Sequence, residues 1–336
     1  MHVTEHHVLD VLNGVPPETV AAVIPTTTTD LNDAVSAYRT AGRYALDVRD
    51  RRWFQAHVQF PDWNTAERTA ADRLLPRLRT AQHEGVITAW WYVRKHPYWR
   101  LRCSAGPDGT RGQAAATLTG LLDGLLCDGA VLRWQESIYE PESLTFGGTY
   151  GIDLAHRLFH ADSDAFLNHL AHTESTEHPD VGRRERSLLL CGTMMRAARQ
   201  DAAEQADIWD RVARMRPLPT EPTTGQLRRL RPAIRQLLSA DTTPTSTLFK
   251  PDGSMTHADG WFAAFADAGR QLADVARDGA LERGLRGTLA SHVIFHWNRH
   301  GLATRAQAIT ARAARNALLD PTDDVPHGVT DAPDPR

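Results

Sequence analysis

The chain lacks the paired cysteines, long apolar runs and signal sequence that identify several large classes of protein. Its 336 residues include only three cysteines, Cys103, Cys127 and Cys191, whose wide spacing argues against a disulfide framework or a zinc ribbon. We expect all three to be reduced core residues. No apolar run approaches the roughly 18 residues that span a bilayer. We therefore expect a cytoplasmic protein without membrane contact.

Glycine-rich phosphate loops, a dinucleotide fingerprint and a GxSxG elbow are also missing. Gly147, Gly148 and Gly151 follow a predicted strand, but their spacing fits none of these motifs. We therefore expect chemistry without a cofactor.

Lysine is almost absent, because only Lys95 and Lys250 accompany 36 arginines among the 38 basic residues. The net charge of −3 argues against general nucleic-acid binding. Arginine suits carboxylate recognition. GRRER (182–186) and LRRLRPAIR (227–235) are therefore either sites for an acidic peptide or solvated helix faces.

Hydrophobic periodicity predicts an α+β fold. Alternating apolar residues predict strands near 53–60, 88–95, 98–104 and 131–139, with His96-Pro97 at the bend between the middle two. Helical patterns fill the spaces between these strands and most of the chain after Gly151. We expect an antiparallel or mixed sheet with helices packed on it, a helical N-terminal layer and a largely helical C-terminal half.

The predicted organisation is a single large catalytic domain over 1–319, in which 1–50 form the helical N-terminal layer. Within it, 239–260 read as a long loop that can act as a lid. The acidic, proline-rich residues 320–336 predict a disordered tail. Asp162 or Ser163 is placed as the N-cap of a helix from about 164, and the last helix is expected over 281–318.

Two segments concentrate side chains suited to chemistry. The stretch ESIYEPESLTFGGTYGIDLAHRLFHADSD (136–164) carries Tyr139 and Glu142 beside a glycine pair. In SHVIFHWNRHG (291–301), the histidines His292, His296 and His300 are four apart and share a helix face, a spacing that suits a metal. No further ligand is evident, so we expect no metal. The alternative is a polar pocket supplied by Ser291, His296, Asn298 and Arg299.

Arg100 and Arg102 share one face of a predicted strand, opposite Trp99, Leu101 and Cys103. Two buried arginines require an anionic ligand or a salt bridge, for which Glu136 and Glu140 are the available partners. The nearby aromatics are either core residues or the wall of a cleft that stacks on flat heterocycles. They are Trp90, Trp91, Tyr92, Tyr98 and Trp99.

Three segments together resemble one family, the C-terminal domain of lanthipeptide dehydratases and its stand-alone relatives in thiopeptide biosynthesis. WYVRKHPYWRLRC is similar to the family's "PHxRLR" strand. YEPESLTFGGTYGIDLAHRLFHADSD resembles "YxPExxRYGGxxxxxxAExxFxxDS", and SHVIFHWNRHG resembles the "HMxxNR" helix. The matches occur in the family's order and span about 90–300.

The resemblance implies one of two peptide-modifying reactions. In the dehydratases this domain eliminates glutamate from glutamylated Ser or Thr, and Arg100, Arg102 and His296 match motif residues implicated there. The arginine of Arg-Tyr-Gly-Gly is Thr145 here, which counts against holding a glutamyl carboxylate. The chain is then similar to a thiopeptide pyridine synthase, which joins two dehydroalanines of a precursor peptide by a formal [4+2] cycloaddition, loses water and expels the leader as an amide.

For that reaction we assign proton transfer to His296 or Tyr139 and hydrogen bonding of the reacting amide to Ser291 and Asn298. Arg299 and the aromatics position the thiazole-bearing core. The expected partner is a precursor peptide with an acidic leader. Two alternatives stay open, a stand-alone glutamate eliminase and a non-catalytic binding partner of the precursor. The predicted substrate-binding residues are Tyr92, Tyr98, Trp99, Arg100, Arg102, Glu142 and Trp297.

Overall fold

Short helices open the chain in the computed structural model, which describes residues 3–49, 53–106, 110–172, 181–250 and 253–319. The chain divides into two compact units, Met1–Arg52 and Trp53–Arg336. In the first unit, Val20, Ile24 and Leu31 form a small apolar core. Whether both units belong to one catalytic domain stays a prediction, and the predicted tail over 320–336 lies outside the described residues. The helices of the first unit are α1 Glu5–Leu12, α2 Pro17–Ala21 and α3 Thr28–Arg49.

A four-stranded antiparallel sheet forms the centre of the second unit, in the order β2-β3-β1-β4. All four predicted strands are confirmed, and His96-Pro97 links β2 to β3 through a cis peptide bond. Alternating apolar residues form these strands because successive side chains point to opposite faces. The strands are β1 Trp53–Gln59, β2 Ile87–Lys95, β3 Tyr98–Ala105 and β4 Arg133–Ser137.

The two faces of the sheet differ in chemistry. The core face is apolar and packs with Leu118 and Leu122 of α6 in one continuous core. Burying each of its large side chains stabilises the fold by about 1.5–3 kcal/mol. The opposite face, called the polar face here, carries both predicted arginines. The core face comprises Phe54, Ala56, Val58, Trp90, Tyr92, Trp99, Leu101 and Cys103. The polar face comprises Gln55, His57, Gln59, Trp91, Val93, Lys95, Tyr98, Arg100 and Arg102.

Helices between and after the strands complete the second unit. The segment after β1 is helical and contains one π-helical turn. Further along the chain, the Thr110 side chain caps α6 by accepting a hydrogen bond from the Gln113 backbone amide. These helices are α4 Ala66–Thr69, the π turn Ala70–Leu74, α5 Leu75–His83 and α6 Arg111–Cys127. After β4 follow α7 Thr149–His172, α8 Arg183–Ala197, α9 Ala202–Arg214, α10 Thr224–Ser239, α11 Asp259–Arg277, α12 Leu285–Arg299 and α13 Thr304–Leu319.

The predicted break in α7 is wrong. Asp162 and Ser163 were placed as an N-cap, but α7 runs unbroken through both, and each is fully buried. The Asp162 carboxylate accepts hydrogen bonds from side chains of α11 and α12 rather than from amides of its own helix. Long-range partners therefore replaced the local capping that the sequence indicated.

Two further expectations are corrected. The single helix predicted over 281–318 is two helices, because Gly301 adopts a φ of 64° and the Leu302 amide closes the end of α12 on the Trp297 carbonyl at 3.0 Å. Cys127, at the end of α6, is exposed rather than in the core, whereas Cys103 and Cys191 are buried as expected. Between the end of α10 at Ser239 and the start of α11 at Asp259, the described residues are irregular apart from the 3-10 turn Thr247–Phe249, and the role of 239–260 as a lid stays a prediction.

No helix among the described residues is long and apolar enough to cross a membrane.

Candidate active site

Arg102 is the centre of a first polar group, at the buried end of the polar face. Its Nε donates to Gln55 Oε1 at 2.7 Å, and its guanidinium carbon lies 4.2 Å from the Trp91 ring centre and 4.5 Å from that of Tyr139. Burial lowers the pKa of Arg102 to about 10, so the side chain stays cationic at neutral pH. Its Nη1 is buried with no hydrogen-bond partner among the described residues. This N–H group can therefore donate a hydrogen bond to an oxygen atom of a bound ligand.

The salt bridge considered for this arginine does not form with Glu136, which pairs with Arg111 at 2.9 Å. Glu140 is exposed. Glu142 is half-buried, and its Oε2 has no hydrogen-bond partner in the described part of the chain. Its field raises the pKa of Arg102 slightly against the larger effect of burial. The Arg102 charge is therefore offset by the field of Glu142 and not by a direct salt bridge among the described residues.

A hydrogen bond between Tyr139 and His156 adjoins Arg102. Tyr139 Oη lies 2.7 Å from His156 Nε2, and each residue is 9% exposed. Burial, reinforced by the positive charge of Arg102, lowers the pKa of His156 to about 3. Burial raises the pKa of Tyr139 although Arg102 opposes it. Both groups are therefore neutral at pH 7, joined as donor and acceptor. We call Gln55, Arg102, Tyr139 and His156 the strand group.

A second polar group lies where α7, α11 and α12 meet. Asp162 accepts hydrogen bonds from His296 Nδ1 at 2.9 Å, His300 Nε2 at 3.1 Å, Arg299 Nη1 at 2.5 Å and Trp261 Nε1 at 2.9 Å. Burial alone raises the pKa of Asp162, but the three basic side chains hold it well below its usual range. The carboxylate is thus ionised and saturated with donors. We call Asp162, His296, Arg299 and His300 the helix group.

Of the three histidines spaced for metal binding, only His296 and His300 come together, and they do so at Asp162. One ligating atom each of Asp162, His296 and His300 lies within 4.8 Å of the others, so the three resemble a metal site by distance. Arg299 binds the same carboxylate, and a fixed cation at that distance opposes a metal ion by Coulomb repulsion. His292 does not join them. Its ring packs 4.9 Å from Phe146 and both of its nitrogens are buried without a partner among the described residues.

An aromatic cluster separates the two groups. Arg102 lies over Trp91, and the Arg299 guanidinium carbon lies 4.7 Å from the Phe159 ring centre. Trp91 and Phe159 are themselves 4.8 Å apart. Two buried cations therefore face a shared apolar wall, which is fully buried at Trp91 and Phe159 and half-buried at Trp53 and Phe295. The cluster comprises Trp91, Tyr139, Phe146, Ile152, Ala155 and Phe159, with Trp53, Val93 and Phe295 packed against it.

The glycine pair after Phe146 is a close-packed turn. Gly147 and Gly148 have φ angles of 91° and 88°, the left-handed region that favours glycine. A Cβ on Gly147 would lie 2.4 Å from Leu281, and the Glu282 amide donates to the Gly147 carbonyl at 2.9 Å. The pair therefore brings the segment before α12 against Thr145 and Phe146.

Arg283 reaches the same turn. Its Nη1 donates to the Thr145 carbonyl at 3.0 Å and to Ser291 Oγ at 3.3 Å, while Ser291 donates to the Gly287 carbonyl at 3.1 Å. A guanidinium thus stands beside the residue that replaces the family's motif arginine. The predicted residue Ser291 is buried within its own helix and contacts this cation.

Other predicted residues lie away from both polar groups. Trp297 Nε1 donates to Ser187 Oγ at 2.5 Å, and Asn298 Oδ1 accepts from Arg216 and Gln307 at 3.3 and 3.2 Å. Both point toward the helices packed behind α12. Their predicted substrate contacts therefore have no support in their placement.

The predicted aromatic wall is divided between the two faces of the sheet. Tyr92 and Trp99 stack at 4.3 Å on the core face, where both are fully buried, so they pack the core instead of lining a cleft. Tyr98 and Arg100 lie on the polar face and are half-buried. Arg100 is adjacent to His57 and Val93 in the strand register.

Comparison with known proteins identifies the family. The profile described as "Lantibiotic biosynthesis dehydratase C-term" matches residues 53–318, which is most of the chain and almost all of the second unit. The chain therefore belongs to the family of lantibiotic dehydratase C-terminal domains. Among curated proteins no match was found.

Three solved structures share the fold. The tRNA-dependent lantibiotic dehydratase MibB from Microbispora sp. 107891 is 18% identical with a TM-score of 0.60, over 80% of this chain and 28% of that protein. TsrL is 18% identical with a TM-score of 0.50, over 79% of this chain and 98% of that one. TbtD, the pyridine synthase from thiomuracin biosynthesis, is 13% identical with a TM-score of 0.56, over 80% and 98%. Identities this low establish the fold alone.

Sequence reasoning missed His156, Asp162, His300 as a carboxylate partner, and Gln55. The family pattern quoted above contained a usable signal for two of them, since its Glu corresponds to His156 and its Asp to Asp162. A motif position that departs from its family, as His156 does, marks a place where the chemistry differs. Gln55 had no local signal, because its contact with Arg102 depends on the register of β1 and β3.

Proposed function

We propose that the protein is a thiopeptide pyridine synthase. Its substrate is a precursor peptide bearing thiazoles and two dehydroalanines, and it acts without a cofactor. The observation that carries the proposal is the neutral Tyr139–His156 pair, 2.7 Å apart, beside the unneutralised cation of Arg102. A proton carrier next to a fixed cation suits a reaction that shifts protons and develops negative charge on a carbonyl oxygen.

The reaction begins with tautomerisation. A proton leaves the nitrogen of the amide that precedes one dehydroalanine and is delivered to the carbonyl oxygen, which produces an iminol and hence a 2-azadiene. Arg102 Nη1 stabilises charge on that oxygen, because it has a free donor in a buried setting. Trp53 and Phe295, the half-buried aromatic side chains packed against the cluster, hold the flat thiazoles and bring the second alkene close, so that proximity supplies much of the rate.

Two new carbon–carbon bonds then close the ring and leave a hydroxyl group on the former iminol carbon. Two eliminations follow, in which that hydroxyl departs as water and the leader departs as a carboxamide, each with a proton from the ring. Tyr139 accepts and returns these protons while its own proton moves to and from His156 Nε2. The pyridine is aromatic, which makes the second elimination favourable.

The direct test is mass spectrometry of the purified protein with a leader-bearing peptide that contains thiazoles and two dehydroalanines. We expect loss of water together with release of an intact leader amide, with no cofactor added. An unchanged peptide would refute the proposal. Tight binding of that unchanged peptide would then support the non-catalytic partner considered from the sequence.

A second candidate, glutamate elimination, is favoured by one observation. The motif arginine is absent at Thr145, but Arg283 brings a guanidinium to the Thr145 carbonyl at 3.0 Å and therefore supplies a cation for a glutamyl carboxylate. A glutamylated Ser or Thr peptide distinguishes the two reactions. Release of free glutamate and formation of a dehydroamino acid would identify the eliminase, and Arg283→Gln would then abolish the activity.

A further inference from the structure

The exposed end of the polar face carries positive charge without a matching acid. Beyond Arg102 the register places Val93, Arg100, His57 and Gln135 side by side, and the next row pairs Lys95 with Tyr98 and Gln59 with Arg133. Exposure rises along these rows, from buried Arg102 through half-buried Arg100 to exposed Lys95 and Arg133. We call Lys95, Tyr98, Arg100, His57, Gln59 and Arg133 the basic face.

No carboxylate lies within ion-pair distance of Lys95, Arg100 or Arg133 in the described ranges. Elsewhere in the same unit exposed arginines do pair with acids, as Arg73 does with Asp128 at 3.0 Å and Arg111 with Glu136 at 2.9 Å. The charge on the basic face acts on His57, whose pKa is lowered first by burial and then by Arg100, Arg102 and Lys95. The positive potential of this surface is thus concentrated and uncompensated locally.

The basic face is also ordered by side-chain contacts. The Tyr98 ring stacks on His57 at 5.8 Å, and the Arg133 guanidinium carbon lies 5.4 Å from the Tyr98 ring centre. Arg133 Nε donates to Gln59 Oε1 at 2.6 Å. These contacts reduce the conformational entropy that the side chains would lose on binding.

We propose that the basic face binds an acidic, extended segment of the peptide substrate next to the reacting core. Charge complementarity favours an acidic ligand, and β4, which is an edge strand of the sheet among the described residues, offers backbone groups to an extended chain. Arg100 and Arg102 are two residues apart on β3, a distance of about 7 Å along the strand. A segment held on the basic face therefore continues directly to the strand group. The proposal rests on a peptide substrate, as proposed above.

An acidic peptide fits this surface better than a nucleic acid does. The surface offers three cations and two rings, Tyr98 and His57, which stack on each other, whereas single-stranded nucleic acid is bound by successive aromatic platforms along a basic groove. The whole chain has a net charge of −3, which opposes a long polyanion.

The test is fluorescence anisotropy with the full chain and a labelled peptide of alternating glutamate and serine. The double variant Lys95→Gln, Arg133→Gln should weaken binding about tenfold at low salt, because each exposed cation contributes a few-fold. The matched control is Arg270→Gln, Arg277→Gln on α11, which removes the same charge from exposed positions outside the basic face and should change affinity less than about twofold. The glutamine version of the peptide should bind neither wild type nor variant detectably.

Equal loss in the two double variants, or no loss in either, would overturn the assignment of the basic face. Tighter binding of a single-stranded RNA, with displacement of the glutamate peptide, would overturn the choice of ligand. These outcomes are separate from cyclisation. A protein that binds the acidic peptide on this face but leaves the dehydroalanine peptide unchanged retains the binding site and loses only the proposed reaction.

Discussion

The strand group and the helix group use the same residue types in opposite ways. Each has a buried arginine and at least one histidine. Only in the helix group does a carboxylate contact the arginine directly. Asp162 accepts four donors there and neutralises the charge, whereas Arg102 has no carboxylate in contact and faces an uncharged Tyr139–His156 pair. Both groups keep buried polar atoms without partners among the described residues, so the difference between them is the direct counterion, which stabilises the helix group and leaves the cation of the strand group available for binding.

The largest effect is expected for Asp162→Asn, which removes the counterion of the helix group. The substitution leaves the Arg299 charge buried without its counterion, so we expect a loss of about 3–5 kcal/mol in the free energy of unfolding. Urea denaturation measures it. The matched control is Asp164→Asn, because Asp164 is half-exposed and pairs with Arg79 at 2.8 Å, which is worth about 1 kcal/mol or less. Equal losses in the free energy of unfolding for the two variants would contradict the structural role assigned to the helix group.

The complementary change, Tyr139→Phe, addresses the strand group. Turnover of the dehydroalanine peptide should fall at least about tenfold because the proton carrier is lost, while stability changes by about 1 kcal/mol. His156→Gln should reduce turnover similarly, since it retains a hydrogen-bonding side chain but cannot carry the proton. Tyr150→Phe is the control, because its hydroxyl belongs to an exposed residue at the start of α7. Normal rates in both site variants would contradict the assignment.

Stability should also depend on pH, because the buried imidazole of His292 is held neutral in the folded state. Burial, with a smaller contribution from Arg299, lowers the pKa of His292 to about 3, against about 6.5 in the unfolded chain. Between these values the unfolded state binds more protons, so stability falls as the pH falls and is fully present only above about 6.5. His292→Phe should therefore reduce the stability difference between about pH 7.5 and about pH 5 by roughly 2 kcal/mol.

Asp162 contributes to the same acid sensitivity at lower pH. Its folded pKa lies below its unfolded value of about 4, so its contribution is present above that value and is lost as the pH falls through the folded pKa. Urea titrations at several pH values separate the two effects. An unchanged pH dependence in His292→Phe would show that this imidazole is not held neutral by burial.

The smallest effect is expected for Asn298→Ala. Asn298 points away from both polar groups toward Arg216 and Gln307, so turnover should stay within about twofold while the lost hydrogen bonds cost about 1 kcal/mol. Steady-state rates and urea denaturation give both values. A tenfold loss of turnover without unfolding would place Asn298 back among the catalytic residues.

Local patterns were sufficient for much of the fold. The alternation in WFQAHVQF and in YWRLRCS predicts β1 and β3 and separates Arg102 from Trp99 and Leu101, because side chains alternate across a strand. The same logic failed at Asp162 and at the end of α12. A buried aspartate has the same local sequence as a capping one, and the helix termination at Gly301 depends on a backbone conformation that the histidine spacing did not reveal.

The four strands, the polar face of β3 and the family follow from residue spacing, which is a property of the unfolded chain as well. Which polar side chains meet depends on the folded structure. Tyr139 meets His156 across 17 residues and Asp162 meets Arg299 across 137, and neither contact follows from local spacing. Burial then keeps Tyr139 and His156 neutral, whereas the basic side chains around Asp162 keep its carboxylate ionised against the effect of burial.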